Sequence, residues 1–430
     1  MDKALILQNK HWKNEPYPDL INRTVLSSVL TKLKLKEIQI LLGVRRSGKS
    51  SLFKLLINHL AGATDPLSIV YVNLDDPFYS EVWKDAKELY RVVETAEKIT
   101  GEKVSYLFLD EIQNVREWEK FIKSQYDAGA FTKIFITGSN SLLLKGDYAK
   151  LLSGRHITDY VYPFSFQGIL SNSGIVSLRD LLSNRPKVLS LLDDVLLYGS
   201  FPEVYKTPDY ELKREILLSY YETIILKDCL GNHSIRDTRA FKELAHFLIS
   251  NMSGLYSYNS LAKAVQSNEN TVREFVGYLE ESFLVDEVKS FSYSLKAQSK
   301  AKKKIYAVDN SFLNAVSFKF SDNKGKLLEN LVYTELVKNG FHEIFFFHDN
   351  KECDFIVKTG NTLTGIQVGY EVGQSNLDRE TGGLMAAMKK LNMEKGYIIT
   401  YDTEQTISPD ISMVPFWKLY HGFFDALGKG

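Results

Sequence analysis

Cysteine is scarce in this 430-residue chain: only Cys229 and Cys353 occur, far apart. Two such residues build neither a disulfide framework nor, alone, a cysteine zinc site, and the usage fits a reducing compartment. Excess charge of one sign is missing as well, since 53 Lys and Arg face 53 Asp and Glu. The whole chain therefore projects no field that would draw nucleic acid or a membrane surface, and any basic patch must be local. Long apolar runs are absent too. No stretch approaches the ~20 residues of a membrane span, and Leu5-Ile6-Leu7 is too short for a secretion signal. A soluble, cytoplasmic protein with no membrane partner is expected. The eight histidines show no spacing with acids or cysteines that makes a zinc site, and no serine occupies a nucleophile elbow.

Against these absences stands Gly43-Val44-Arg45-Arg46-Ser47-Gly48-Lys49-Ser50, which fits the G-x-x-x-x-G-K-[ST] phosphate-binding loop at every fixed position. Ahead of it, Ile38 to Leu42 is short, apolar and rich in branched residues; behind it, Leu52, Leu55, Leu56 and Leu60 recur at helical spacing. Strand, glycine loop and helix in that order form a cradle for a nucleoside triphosphate. Backbone N–H groups and the helix N-terminus point at negative charge, Lys49 reaches the β- and γ-phosphates, and Ser50 holds magnesium. The binding stretch runs from Gly43 through Ser51, and ATP with magnesium is the expected cofactor pair.

Further strand-like runs follow at Ile69 to Leu74, Val104 to Leu109, Ile134 to Thr137 and Ile157 to Tyr162, alternating with helical patterns, so a parallel sheet is expected. Ligands of such sheets bind beyond the carboxyl ends of the strands, which brings Asp110-Glu111 into the crevice of the phosphate loop. This looks like a Walker B pair: Asp110 holds magnesium through water, and Glu111 polarises the attacking water. Asn140, or Ser139 if the register slips, is placed to sense the γ-phosphate. Arg155, just ahead of the fifth strand, is the candidate arginine finger, acting in trans within a homo-oligomer.

These residues carry a resemblance. With Gly43 to Ser50, Asp110-Glu111-Ile112-Gln113, Thr137-Gly138-Ser139, Ser153-Gly154-Arg155, Pro163-Phe164-Ser165-Phe166 and Gly199-Ser200-Phe201-Pro202-Glu203, the chain resembles prokaryotic AAA-type P-loop ATPases that join an ATPase core to a C-terminal domain of unknown function. The resemblance implies ATP hydrolysis by an AAA-like core similar to archaeal ATPases and, distantly, to origin-recognition ATPases.

Beyond the core, Leu178 to Asp228 reads as a helical lid. Helical stretches at Phe241 to Asn251, Ser260 to Val265 and Thr271 to Phe283 suit a helix-turn-helix, and Val288 to Tyr293 with Ile305 to Val308 suit the strands of a wing. Arg273 on the recognition-like helix and Lys296, Lys300, Lys302, Lys303 and Lys304 at the wing tip are candidate contacts to DNA phosphates. The last segment resembles a PD-(D/E)xK nuclease-like fold. Glu329, Asp354 and Gln367 match its metal-binding places, whereas position 369 is glycine where that pattern has lysine.

The expected architecture is α/β: an AAA-like P-loop core over 1–170, a helical lid over 171–235, a winged helix over 236–315 and a nuclease-like domain over 316–430. The expected function is an ATPase acting on or near DNA with little or no nuclease activity. Its rivals are an ATP-dependent switch acting on a protein partner and an ATP-gated, metal-dependent nuclease.

Overall fold

Four short, largely apolar runs and one more polar strand pair side by side into one parallel sheet. They are β1 (Ile38–Leu42), β2 (Ile69–Asn73), β3 (Tyr106–Asp110), β4 (Lys133–Gly138) and β5 (His156–Tyr160), in the order β2-β3-β4-β1-β5. Strands β1 and β4 are buried along their whole length, as expected of a parallel sheet covered on both faces. The computed structural model describes residues 1–145, 150–316, 324–373 and 376–428. It divides into two compact units, Met1–Tyr162 with Glu281–Phe283, and Pro163–Glu280 with Leu284–Gly430.

In the first unit, helix α1 (Lys49–Ala61) packs on one face of the sheet and helices α2 (Glu88–Thr100) and α3 (Trp118–Ala128) contribute to the core on the other. Phe53 of α1 meets Phe108 of β3 edge-on at 5.1 Å, and Phe108 stacks on Phe135 of β4 at 4.3 Å. This aromatic ladder fixes α1, and with it the loop that leads into α1, against the middle of the sheet.

The second unit gathers the chain from Pro163 onward apart from Glu281–Phe283. The segment expected to stand apart as a lid instead shares a core with residues far along the chain. Ser200 donates from its backbone N–H and its hydroxyl to Asp309, Phe201 packs on Phe312, and the backbone N–H of Phe166 donates to Glu335. Gly199 has φ +71°, and a Cβ there would lie 1.6 Å from Asp309, so the Gly-Ser-Phe-Pro stretch is shaped by this packing. The first unit ends its main stretch at Tyr162, short of the expected 170, and the second takes in 171–235, 236–315 and 316–430 apart from Glu281–Phe283.

Three helices, α4 (Thr238–Ser250), α5 (Tyr258–Ala264) and α6 (Glu269–Glu281), precede a small antiparallel sheet of β6 (Leu255–Tyr256), β7 (Val285–Lys289) and β8 (Lys303–Ala307) in the order β6-β8-β7. Helix α4 buries Phe241, Leu244, Ala245, Leu248 and Ile249, the stripe its sequence dictates. A short helix, Leu295–Lys300, connects β7 to β8. Next come helix α7 (Lys324–Lys338) and a six-stranded mixed sheet. Its strands are β9 (Ile344–His348), β10 (Glu352–Thr359), β11 (Thr362–Gly369), β12 (Gly396–Thr400), β13 (Gln405–Ser408) and β14 (Ile411–Pro415), in the order β13-β14-β12-β11-β10-β9. Helix α8 (Leu377–Leu391) lies between β11 and β12 in sequence. Among the described residues, no helix is long and apolar enough to cross a membrane.

Candidate nucleotide site

The loop leaves β1 at Gly43, whose φ is +155° and where a Cβ would sit 2.1 Å from the carbonyl oxygen of Val161; only glycine fits that approach. Arg46 and Gly48 take positive φ values of 69° and 99°, and α1 begins at Lys49. Such a turn directs successive N–H groups inward, the geometry that binds an anion. Lys49 is buried, and its Nζ donates to the loop carbonyls of Gly43 at 2.9 Å and Val44 at 3.1 Å. Arg23, also buried, donates to the carbonyl of Ser47 at 2.8 Å and to that of Tyr162, bracing the loop from outside. Burial holds its guanidinium down to about 10.

Asp110 ends β3 and Glu111 follows in the left-handed region at φ +55°, so the two carboxylates diverge. Asp110 accepts hydrogen bonds from Tyr71 at 2.9 Å, from Thr137 and from Ser50. Thr137 also accepts the backbone N–H of Glu111 at 2.9 Å, so one hydroxyl on β4 fixes both acids. Glu111 accepts from Gln113 and lies 3.9 Å from the Lys49 ammonium. Burial, then the neighbouring Glu111, push the Asp110 carboxyl up. Burial pushes Glu111 up as well, but Lys49 and Arg45, with hydrogen bonds from Gln113 and Ser139, outweigh it and leave this carboxyl below its usual range. The surroundings thus shift two adjacent acids in opposite directions, one up and one down.

Magnesium fits this donor set. The Ser50 hydroxyl and the Asp110 carboxylate already touch, and the Ser47 hydroxyl, buried in the loop, makes no hydrogen bond among the described residues. Of the two candidates after β4, Ser139 bonds Glu111, receives Gln113 at 3.4 Å and lies 3.5 Å from Arg45. Asn140 turns its carbonyl oxygen to the backbone N–H of Leu142 at 2.8 Å, where it caps a short helix.

Residues 35–170 match the AAA domain family, and 189–323 and 324–419 match two domains of unknown function, DUF8612 and DUF4143. An uncharacterized protein of Methanocaldococcus jannaschii is 33% identical over 407 residues, covering 90% of this chain and 89% of its own length. The chain belongs to the AAA-domain P-loop ATPases. An uncharacterized protein of Haemophilus influenzae is 30% identical, with 88% of this chain and 92% of that protein covered. The solved structure of PCH-2 from C. elegans matches at 16% identity over 60% of this chain and 71% of that one, with a TM-score of 0.28, a likeness too weak to bear on function.

Elsewhere in this AAA-domain protein the candidate residues scatter. Arg155 donates its Nε to Asp127 of α3 at 2.9 Å and is about a third exposed. Arg273 is exposed, with its guanidinium 4.1 Å from the Tyr258 ring centre. Lys296, Lys300 and Lys302 are exposed around the short helix between β7 and β8. Lys303 and Lys304 belong inside β8 and are buried, which removes them from the expected phosphate-contacting tip. Lys303 donates to the carbonyls of Ala301 and Ser299, and burial lowers its ammonium. Lys304 lies between Glu329 and Asp354. Gln367 does not complete that pair: its Nε2 reaches Glu380 at 3.3 Å, and its buried Oε1 makes no hydrogen bond among the described residues. A Cβ on Gly369 would lie 2.5 Å from Val372, so nothing larger fits there without movement. Among the described residues, no group of three or more His, Cys, Asp or Glu is arranged to hold a metal.

Sequence reasoning missed Arg23, Tyr71, Thr137 and Gln113 as site residues. Gln113 and Thr137 adjoin motif residues and were quoted only as part of the resemblance; Arg23 and Tyr71 reach the site through tertiary packing and leave no local signature.

Proposed function

We propose that this protein binds ATP with magnesium on the Gly43 to Ser51 loop and hydrolyses it to ADP and phosphate. Its residues divide the work. Backbone N–H groups of Gly43, Val44, Arg45, Arg46, Ser47, Gly48 and Lys49 hold the phosphates, and the Lys49 ammonium exchanges its loop carbonyls for β- and γ-oxygens. Ser50 and Asp110 hold the magnesium, which neutralises phosphate charge when bound. Glu111, kept ionised by Lys49 and Arg45, orients and polarises the water that attacks the γ-phosphorus, while Ser139 reports the γ-phosphate to Glu111. The observation that carries this reading is the divergence of Asp110 toward Ser50 and of Glu111 toward Lys49. Steady-state turnover and nucleotide binding test it. Lys49→Ala should abolish binding, and Glu111→Gln should keep binding but lose hydrolysis; parental turnover in Glu111→Gln overturns the assignment of Glu111.

The work of hydrolysis is directed at DNA through residues 236–315, read as a winged helix with Arg273, Lys296, Lys300 and Lys302 on phosphates, while the nuclease-like C-terminal part does not cut. A second reading, a switch acting on a protein partner, is favoured by Tyr293 and Leu295, which are 83% and 81% exposed beside those lysines. Turnover stimulated by duplex, single-stranded or branched DNA supports the first reading, and slow turnover indifferent to all three supports the second.

A further inference from the structure

Three carboxylates in the second unit converge on one ammonium. The Nζ of Lys304 lies 2.7 Å from Glu352, 2.9 Å from Glu329 and 3.0 Å from Asp354. An ammonium has three N–H donors, and here each has an acceptor. The acids are themselves held: Tyr306 donates to the same Glu329 oxygen at 2.7 Å, and the backbone N–H of Val368 donates to the second Asp354 oxygen at 3.0 Å. Lys304 is 2% exposed, and the cluster reaches solvent mainly through Glu352, whose side chain is 35% exposed.

A hard divalent cation takes oxygen donors, but the point that these three share, between a helix and a hairpin, is filled by nitrogen, so as the side chains stand the cluster is not arranged to hold a metal. We propose that Lys304 is the built-in cation of this site. Its ammonium takes the position a divalent metal would otherwise occupy, closes the cluster to metal, and joins β8 to α7 and β10. The fully committed donors leave Lys304 no hydrogen for a phosphate, so it neither contacts nucleic acid nor serves a cleavage reaction. The inference rests on the side-chain cluster alone and is independent of whether the first unit hydrolyses ATP.

Removing the lysine charge leaves three acids facing one another in a poorly solvated space, a state that a metal relieves. The test is manganese binding to nucleotide-free full-length protein, followed by the electron paramagnetic signal of free manganese and by the thermal midpoint. Unsubstituted protein should show no manganese site that Asp354→Asn removes. Lys304→Gln should gain one, with affinity raised by about tenfold or more and a midpoint that climbs with manganese, and adding Asp354→Asn should abolish both effects. Manganese binding to unsubstituted protein that Asp354→Asn removes overturns the proposal, as does a folded Lys304→Gln protein with no gain in affinity. Where Lys304→Gln folds only with manganese present, that dependence supports it. Failure to fold even with manganese, while Lys304→Gln/Asp354→Asn folds, overturns it.

Discussion

One hydroxyl, that of Thr137, holds two adjacent acidic residues, donating to the Asp110 carboxylate and accepting the backbone N–H of Glu111. Valine has nearly the same shape and neither function, so Thr137→Val keeps the packing of β4 but frees both acids. Leaving a buried group unsatisfied costs about 1–3 kcal/mol, and a misplacement of ~1 Å in a reacting group can cost ~10² in rate. Thr137→Val should therefore lower kcat by ~10- to 10²-fold while changing ATP affinity only a few-fold; an unchanged kcat removes Thr137 from the site. The motif residues themselves were legible, because phosphate binding demands glycine, lysine and a hydroxyl at fixed spacing. Thr137 could not be weighed from sequence, since its role depends on β4 lying beside β3. Lys303 and Lys304 were misread for a related reason. A lysine run ordinarily marks a solvated surface, but β8 is buried along its whole length and its lysines find partners inside.

Among elements, strands β1 to β4 of the parallel sheet were legible as largely apolar runs, because burial on both faces leaves little polar alternation to confuse with a helix, whereas β5, His156-Ile157-Thr158-Asp159-Tyr160, is polar and less buried. Both strands of the expected wing misled: Val288 to Tyr293 was read where β7 runs over Val285–Lys289, and Ile305 to Val308 was read for β8. Strand β8 starts at Lys303 and not at Ile305, since apolar content was the only available criterion and its first two residues are charged. The exposed basic set therefore shrinks to Lys296, Lys300 and Lys302, around the helix Leu295–Lys300. If this element contacts duplex DNA, replacing all three lysines by alanine should flatten the plot of log affinity against log salt by about 0.9 for each lost phosphate contact. Relaxed sequence preference is not expected, because backbone contacts position a protein without reading bases. A salt slope equal to that of the unsubstituted protein would assign these lysines to ordinary solvation and move attention to Tyr293 and Leu295 as a protein-contact surface.

At the scale of the whole chain, the partition into two units was the least legible feature. Phe201 and Phe312, or Phe166 and Glu335, lie more than a hundred residues apart, and no local pattern announces that such segments share a core. The ATPase unit poses its own question of completeness. Arg155 immediately precedes β5, whose first residue, His156, pairs with Ile38 at the start of β1, whereas the phosphate loop leaves the far end of β1 after Leu42. Four steps along a strand separate those ends by about 13 Å, and the Arg155 side chain is further tied to Asp127. The arginine thus stands at the end of the sheet opposite its own nucleotide crevice. If it acts on a phosphate at all, it acts on that of a second copy of the chain, after giving up the half-exposed Asp127. An arginine supplied in this way is worth ~10³ to 10⁵ in rate, so Arg155→Ala should reduce turnover far more than ATP affinity. The loss alone does not distinguish a shared site from a local defect, because breaking the Asp127 pair also disturbs α3. Mixing decides. Arg155→Ala chains keep an intact phosphate loop and Lys49→Ala chains keep the arginine, so a mixed assembly contains sites complete in both respects although neither parent has one. Recovery of turnover on mixing two inactive proteins establishes the arginine as a trans contributor, and no recovery at any ratio leaves Arg155 as the structural partner of Asp127.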